Sequence, residues 1–182
     1  MNTYIALLRG INVGGHKKVP MAELRKLLTN SGFENVSTYI QSGNVILNSS
    51  LSDIKMIEDK IQKSILEHFG FEVTVLVRTR NHFLNNFNNC PFKQEQKENS
   101  YFVLLSDVPK SENLEKVKDI SYENETYQII EDCLYFYSSV GYGNSKFNMN
   151  TFEKKLNMSA TTRNYKTMVK LLSLSKELEN RP

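Results

Sequence analysis

"SYFVLLSD", Ser100 to Asp107, repeats almost position by position the opening stretch "TYIALLRG", Thr3 to Gly10. Each is an apolar run of strand length, and its lack of alternation predicts a strand buried on both faces. After the first copy the elements come in a regular order. Pro20 suits the first position of a helix, Met21, Leu24 and Leu28 recur at i, i+3 and i+7, and Gly32 with Phe33 supplies a left-handed end. "VSTYIQ" and "NVILNS", rich in β-branched and aromatic residues, flank Ser42-Gly43 and predict a two-residue hairpin. "LSDIKMIEDKIQKSILEHFGF" puts Ile54, Ile57, Ile61 and Ile65 on one helical stripe closed by Gly70 and Phe71, and "FEVTVLVR" adds a fourth strand. The order β-α-β-β-α-β is the split β-α-β, or ferredoxin-like, unit.

The second copy starts the same order again. Leu114, Val117 and Ile120 mark a helix, and "TYQII" and "CLYFY" flank Glu131-Asp132 as a second tight hairpin. "NTFEKKLNM" and "TRNYKTMVKLLSLSKEL" then read as two helices, where the first unit has a helix and a strand. The expected class is α+β: two fused ferredoxin-like subdomains, the second ending in helices. The first spans 1–80, a connector with a short helix spans 81–99, and the second spans 100–182.

A chain of 182 residues has room for a substantial core. Its 40% apolar and 24% charged residues are ordinary for a globular protein. Only the five apolar residues Tyr4 to Leu8 precede Arg9, too short a run for a signal-peptide core or a membrane span. Cys90 and Cys133 have neither CxxC spacing nor the density of a disulfide framework, which points to a cytoplasmic protein with no membrane partner. The net charge of +3 is unevenly spread: residues 1–80 carry 10 Lys/Arg against 7 Asp/Glu, residues 81–145 carry 5 against 10, and residues 146–182 carry 8 against 3. Basic ends around an acidic middle attract an anion if they share a face, and otherwise are solvated surface.

Three stretches carry candidate chemistry. "LLRGINVGGHKK" sets Arg9, Asn12, Gly14, Gly15 and Lys17 in one loop. It is not a phosphate-binding P-loop, since His16 separates the glycines from Lys17 and no Ser/Thr comes after. Gly14-Gly15 can present successive N–H groups to an anion, or can simply turn the chain between strand and helix. "TYIQSGN" gathers Gln41, Ser42 and Asn44 near one turn, as hydrogen-bonding groups or as turn formers. "ATTRNYKT" brings Arg163, Asn164 and Lys166 before an apolar helix, either to grip a phosphate or carboxylate or as a cap in which Thr161 or Thr162 supplies the oxygen. His16, His68 and His82 lack metal-ligand spacing, so no metal and no cofactor is expected. The RNA-recognition signature is absent too, because "NVILNS" has no aromatic residue to stack a base.

"YIALLRGINVGG", "MAELRKLL", "GFENVSTYIQSGNV" and "TTRNYKTMVKL" together resemble the bacterial family called domain of unknown function 1697. The resemblance implies a cytosolic bacterial protein of two ferredoxin-like subdomains and says little about activity. The family pattern carries Trp and Arg where Tyr165 and Lys166 stand here, which weakens fork-like recognition at that position.

The leading functional expectation is binding of a phosphate-bearing ligand, a nucleotide or a nucleic-acid backbone, by the three stretches acting at one site. The alternatives are an enzyme acting on a small anionic metabolite between the halves, with Gln41, Ser42 or His16 near the chemistry, and a protein-interaction module.

Overall fold

Strand β1 (Asn2–Leu8) is the hub of the first sheet in a computed structural model that describes residues 1–180. It pairs antiparallel on one side with β3 (Asn44–Ser49) and on the other with β4 (Val75–Thr79). Strand β2 (Glu34–Tyr39) adds to the outer side of β3, giving the order β2-β3-β1-β4. Tyr4, Ala6 and Leu8 point to a core with Val45, Leu47, Val75 and Val77, and helices α1 (Met21–Asn30) and α2 (Ile54–Phe69) close it with Leu24, Leu28, Ile57, Ile61 and Ile65. Ile5, Leu7 and Ile46, on the opposite face, are equally buried, as the unbroken apolar runs predict.

Local chemistry places the ends of these elements. Gly70 takes the left-handed conformation at the end of α2, at φ 78°, and Gly32 at φ 88° does the same after α1, where Phe33 N–H donates back to Leu28 O and its ring enters the core. Asp53 accepts from the Lys55 and Met56 amides at the start of α2. Glu58, on the same helix, accepts from Val77 N at 2.9 Å and so satisfies an outward N–H of edge strand β4. Burial raises this carboxyl above the ordinary range, and the Val77 bond with Lys55 and Arg78 opposes the rise.

The second sheet has the same plan. Strands β5 (Tyr101–Leu105), β6 (Glu125–Ile130), β7 (Cys133–Ser138) and β8 (Ala160–Asn164) lie in the order β6-β7-β5-β8, all neighbours antiparallel. Val103, Leu105, Leu134 and Phe136 form the core on one face with Phe147, Phe152 and Leu156. The last two belong to α6 (Met149–Leu156). Three further helices, α3 (Arg80–Asn88), α4 (Gln94–Glu98) and α5 (Ser111–Leu114), flank β5 in the chain, and α7 (Tyr165–Glu179) ends the described residues. The architecture is α+β, with two four-stranded antiparallel sheets and seven α-helices among the described residues. No helix there is long and apolar enough to cross a membrane.

Several sequence expectations are corrected. The second unit does not pass from helix to helix: "ATTRN" is strand β8, paired along β5 from Leu105↔Ala160 to Tyr101↔Asn164, so its element order repeats that of the first. Consecutive threonines favour a half-buried strand, and that preference outweighs their capping ability. The first hairpin has a four-residue turn, because Ile40 is left-handed at φ 49° and ends β2 at Tyr39. Pro20 sits at the cap position before α1 and not inside it. Packing divides the chain into Met1–Leu84 with the segment from Lys170 onward, and Asn85–Val169.

Candidate functional site

The candidate residues of the first two stretches lie in the first unit, and much of their polarity is engaged in holding the backbone. Gly14 and Gly15 have φ 58° and 79° and turn the chain between Val13 and His16, with His16 N–H donating to Val13 O at 3.0 Å. Two positive φ values in a two-residue turn are the requirement of the type I′ hairpin, so the turn by itself accounts for both glycines. Asn12, left-handed at φ 56°, donates from Nδ2 to Val19 O at 3.0 Å and to Gln41 O at 2.9 Å, while its Oδ1 accepts from Val19 N at 2.8 Å. Both amide protons are therefore occupied, and Asn12 acts as a latch between the loop and the first hairpin.

The hairpin is fixed from its own side as well. Asn44 is fully buried, and its Nδ2 donates to Tyr39 O and to Ser42 Oγ across the turn. Leu8 N–H donates to Gly43 O at 2.7 Å. The structure thus brings Asn12, Gln41, Ser42 and Asn44 together, with the side chains of Gln41 and Ser42 exposed. Arg9, Gly10 and Lys17 border a separate shallow pocket of about 320 Å³ with Glu72 and Thr74, where Lys17 Nζ donates to Glu72 O at 2.7 Å.

The third stretch lies in the second unit, and its residues part company. Arg163 is buried on β8, where its Nη1 donates to Thr161 Oγ1 and to Thr162 O, both at 2.8 Å. Burial draws the guanidinium down to about 10, so it remains charged at neutral pH. Thr161 and Thr162, the expected caps, are inside the strand. Asn164 is the cap instead, its Oδ1 accepting from Thr167 N at 2.9 Å at the start of α7. Tyr165 N–H donates to Ser100 O at 3.3 Å, which ties the first turn of the helix to the entry of β5.

Asn164 and Lys166, both exposed, border a pocket of about 530 Å³. It opens where β5 begins, where β7 and β8 end, and where α7 starts, so the positive end of a 15-residue helix faces it. Tyr101, Tyr137, Tyr142 and Tyr165 supply aromatic walls, and the Tyr101 and Tyr142 rings lie 4.3 Å apart at 31°. Burial and the neighbouring Tyr101 phenol raise Tyr142 above the ordinary tyrosine range, so it is a neutral hydroxyl at physiological pH. Ser138 also lines the pocket, 6% exposed, and its Oγ has no hydrogen-bond partner among the described residues. A buried hydroxyl without a protein partner is uncommon in native proteins.

The family model described as "Protein of unknown function (DUF1697)" matches residues 1–135. The chain belongs to this family. The match contains the latched loops of the first unit and strands β5 and β6 of the second sheet, whereas "TTRNYKTMVKL" lies beyond it. A solved structure of the conserved bacterial protein SP0830 from Streptococcus pneumoniae is similar over 96% of this chain and 98% of that one, with 25% identity and a TM-score of 0.73. No curated protein matches.

Ser138, Tyr101 and Tyr142, which line this pocket, are not among the candidates that the sequence suggests. Tyr101 looked like the start of a core strand, and Tyr142 comes after β7 in a short 3₁₀ turn whose "GYGN" reads as a loop. The one signal in the sequence was the density of tyrosines around the second repeat. Among the described residues, no group of three or more His, Cys, Asp or Glu is placed to hold a metal ion.

Proposed function

We propose that this protein binds a phosphate-bearing ligand in the second unit, at the sheet end where α7 begins, and that both units are ferredoxin-like. Support for the second part is the shared element order and the matching sheet orders β2-β3-β1-β4 and β6-β7-β5-β8. The binding reading is carried by one observation: a pocket that combines a helix N-terminus, the Lys166 ammonium and the unpartnered, buried Ser138 hydroxyl. The helix dipole favours an anion at the start of α7, where the Tyr165 and Thr167 N–H groups are already engaged, and the nearby ammonium adds a charge-assisted bond. Asn164 contributes by ordering that first turn, while Arg163, engaged inside β8, is a strand residue and not a ligand contact in this reading. In the first unit, Asn12 and Asn44 act as latches, and Arg9 and Lys17 form the competing basic surface.

The test is titration of the full chain with inorganic phosphate and with ribose 5-phosphate, monitored by amide chemical shifts. Lys166→Ala lowers affinity for both by roughly tenfold, the loss expected of one charge-assisted hydrogen bond, and shifts cluster at Ser138 and Lys166. Lys17→Ala leaves affinity unchanged. The reverse pattern, sensitivity at Lys17 and none at Lys166, moves the ligand to the first loop and overturns the assignment.

A further inference from the structure

Resting on that phosphate reading, we infer that the ligand is a nucleoside monophosphate, its phosphate beside Lys166 at the start of α7 and its base against the Tyr101–Tyr142 pair. Charge limits the number of phosphates. Residues 85–169 carry 10 Lys/Arg against 11 Asp/Glu, so the second unit has no basic field. Among the described residues, Lys166 is the single cationic side chain bordering the pocket, and the Glu98 carboxylate borders it too. A nucleic-acid strand is held by several cations placed along its backbone. One ammonium and one helix N-terminus suit one phosphate group.

The rest of the pocket calls for more than phosphate. Its volume of about 530 Å³ lies within the range of roughly 300–1,000 Å³ typical of small-molecule sites and is far larger than a phosphate ion requires. Tyr142 is 40% exposed, next to Gly141 at φ 81°, so part of its ring is open while Tyr101 lies against it at 4.3 Å. Stacking on a partly exposed tyrosine ring tolerates any nucleobase, whatever its edge pattern. The Ser138 hydroxyl, able both to donate and to accept, has the capacity to pair with a polar atom of such a ligand.

The experiment is calorimetric titration of the full chain with AMP, GMP, CMP and UMP, with ribose 5-phosphate and adenosine as partial ligands, and with a short single-stranded oligonucleotide. At least one nucleoside monophosphate binds about tenfold or more tightly than ribose 5-phosphate. Tyr142→Ala lowers that affinity by roughly 5- to 100-fold, the range of one base–aromatic stack, and leaves ribose 5-phosphate unaffected; Tyr142→Phe, which keeps the ring, retains it. Ribose 5-phosphate binding as tightly as every nucleotide, or nucleotide affinity untouched in Tyr142→Ala, overturns this inference and leaves the phosphate reading standing. Adenosine binding as tightly as AMP, or no phosphate compound binding at all, overturns both. Oligonucleotide binding with a salt slope of several phosphates overturns the restriction to one phosphate.

Discussion

At Gly43 the absence of a side chain is a geometric necessity. A Cβ added there sits 2.7 Å from Leu8 Cβ and 2.9 Å from Leu8 O, and the backbone is left-handed at φ 77°. Neither neighbour has freedom to yield, because Leu8 is a core residue of β1 and its N–H is bonded to Gly43 O. Gly15 has a similar φ of 79° with nothing within 4 Å of its Cβ position. The two glycines therefore separate conformational strain from steric overlap. Gly43→Ala destabilises by about 3 kcal/mol or more, strain plus overpacking, and Gly15→Ala by about 1 kcal/mol, strain alone. Urea denaturation of the two variants checks the difference, and equal losses would mean that the approach of the turn to β1 contributes nothing. Sequence showed that glycines were needed in both stretches. It did not show which one lies against the core, because that depends on the pairing of β1 with β3, a contact between residues far apart in the chain.

Among the elements, the passage from β8 directly into α7 does most to shape the candidate site. The strand ends at Asn164 and the helix starts at Tyr165, so one residue closes a ladder opposite Tyr101 and caps a helix. Replacing the amide by a carboxylate separates its two proposed consequences. Asn164→Asp keeps an accepting oxygen for Thr167 N and places a negative charge at the positive end of the helix, so stability is kept or rises by up to about 1 kcal/mol. The same charge repels an incoming phosphate, and ribose 5-phosphate affinity falls. Asn164→Ala removes the cap and costs about 0.5–2 kcal/mol. Thermal denaturation beside phosphate titration reads both; an aspartate variant that binds phosphate as well as the parent places the anion elsewhere. The helices α1 and α2 were legible because burial of one side imposes a period on their residues, and the strands β1, β3, β5 and β7 because they are short runs rich in apolar, β-branched or aromatic residues. β8 was not, since "ATTRN" has no alternation of its own and becomes a strand through pairing with β5. Ser138 and Tyr142 stayed hidden as site residues for a related reason: a pocket made from strand ends has no period in sequence.

At the scale of the whole molecule, the repeat visible in "TYIALLRG" and "SYFVLLSD" gives two sheets of one plan, yet the units are not two successive lengths of chain. The segment from Lys170 onward groups with Met1–Leu84, so the first unit is built from both ends of the described sequence. The stretch "TRNYKTMVKLLSLSKEL" reads as a helix, but which core receives its last turns is decided by three-dimensional packing that the stretch alone does not encode. Two residues near its end test the assignment. Leu178 is 6% exposed and borders a pocket with Met1, Asn2 and Arg80, whereas Glu179 pairs with Arg80 Nε at 3.5 Å near the surface. Leu178→Ala removes buried apolar volume and lowers stability by roughly 2–4 kcal/mol. Glu179→Ala removes a partly exposed ion pair and costs less than about 1 kcal/mol. Hydrogen exchange locates the effect: Leu178→Ala accelerates exchange in β1, β4 and the end of α7, since an opening equilibrium responds first where packing is lost. Acceleration confined to residues 85–169 would detach the end of α7 from the first unit.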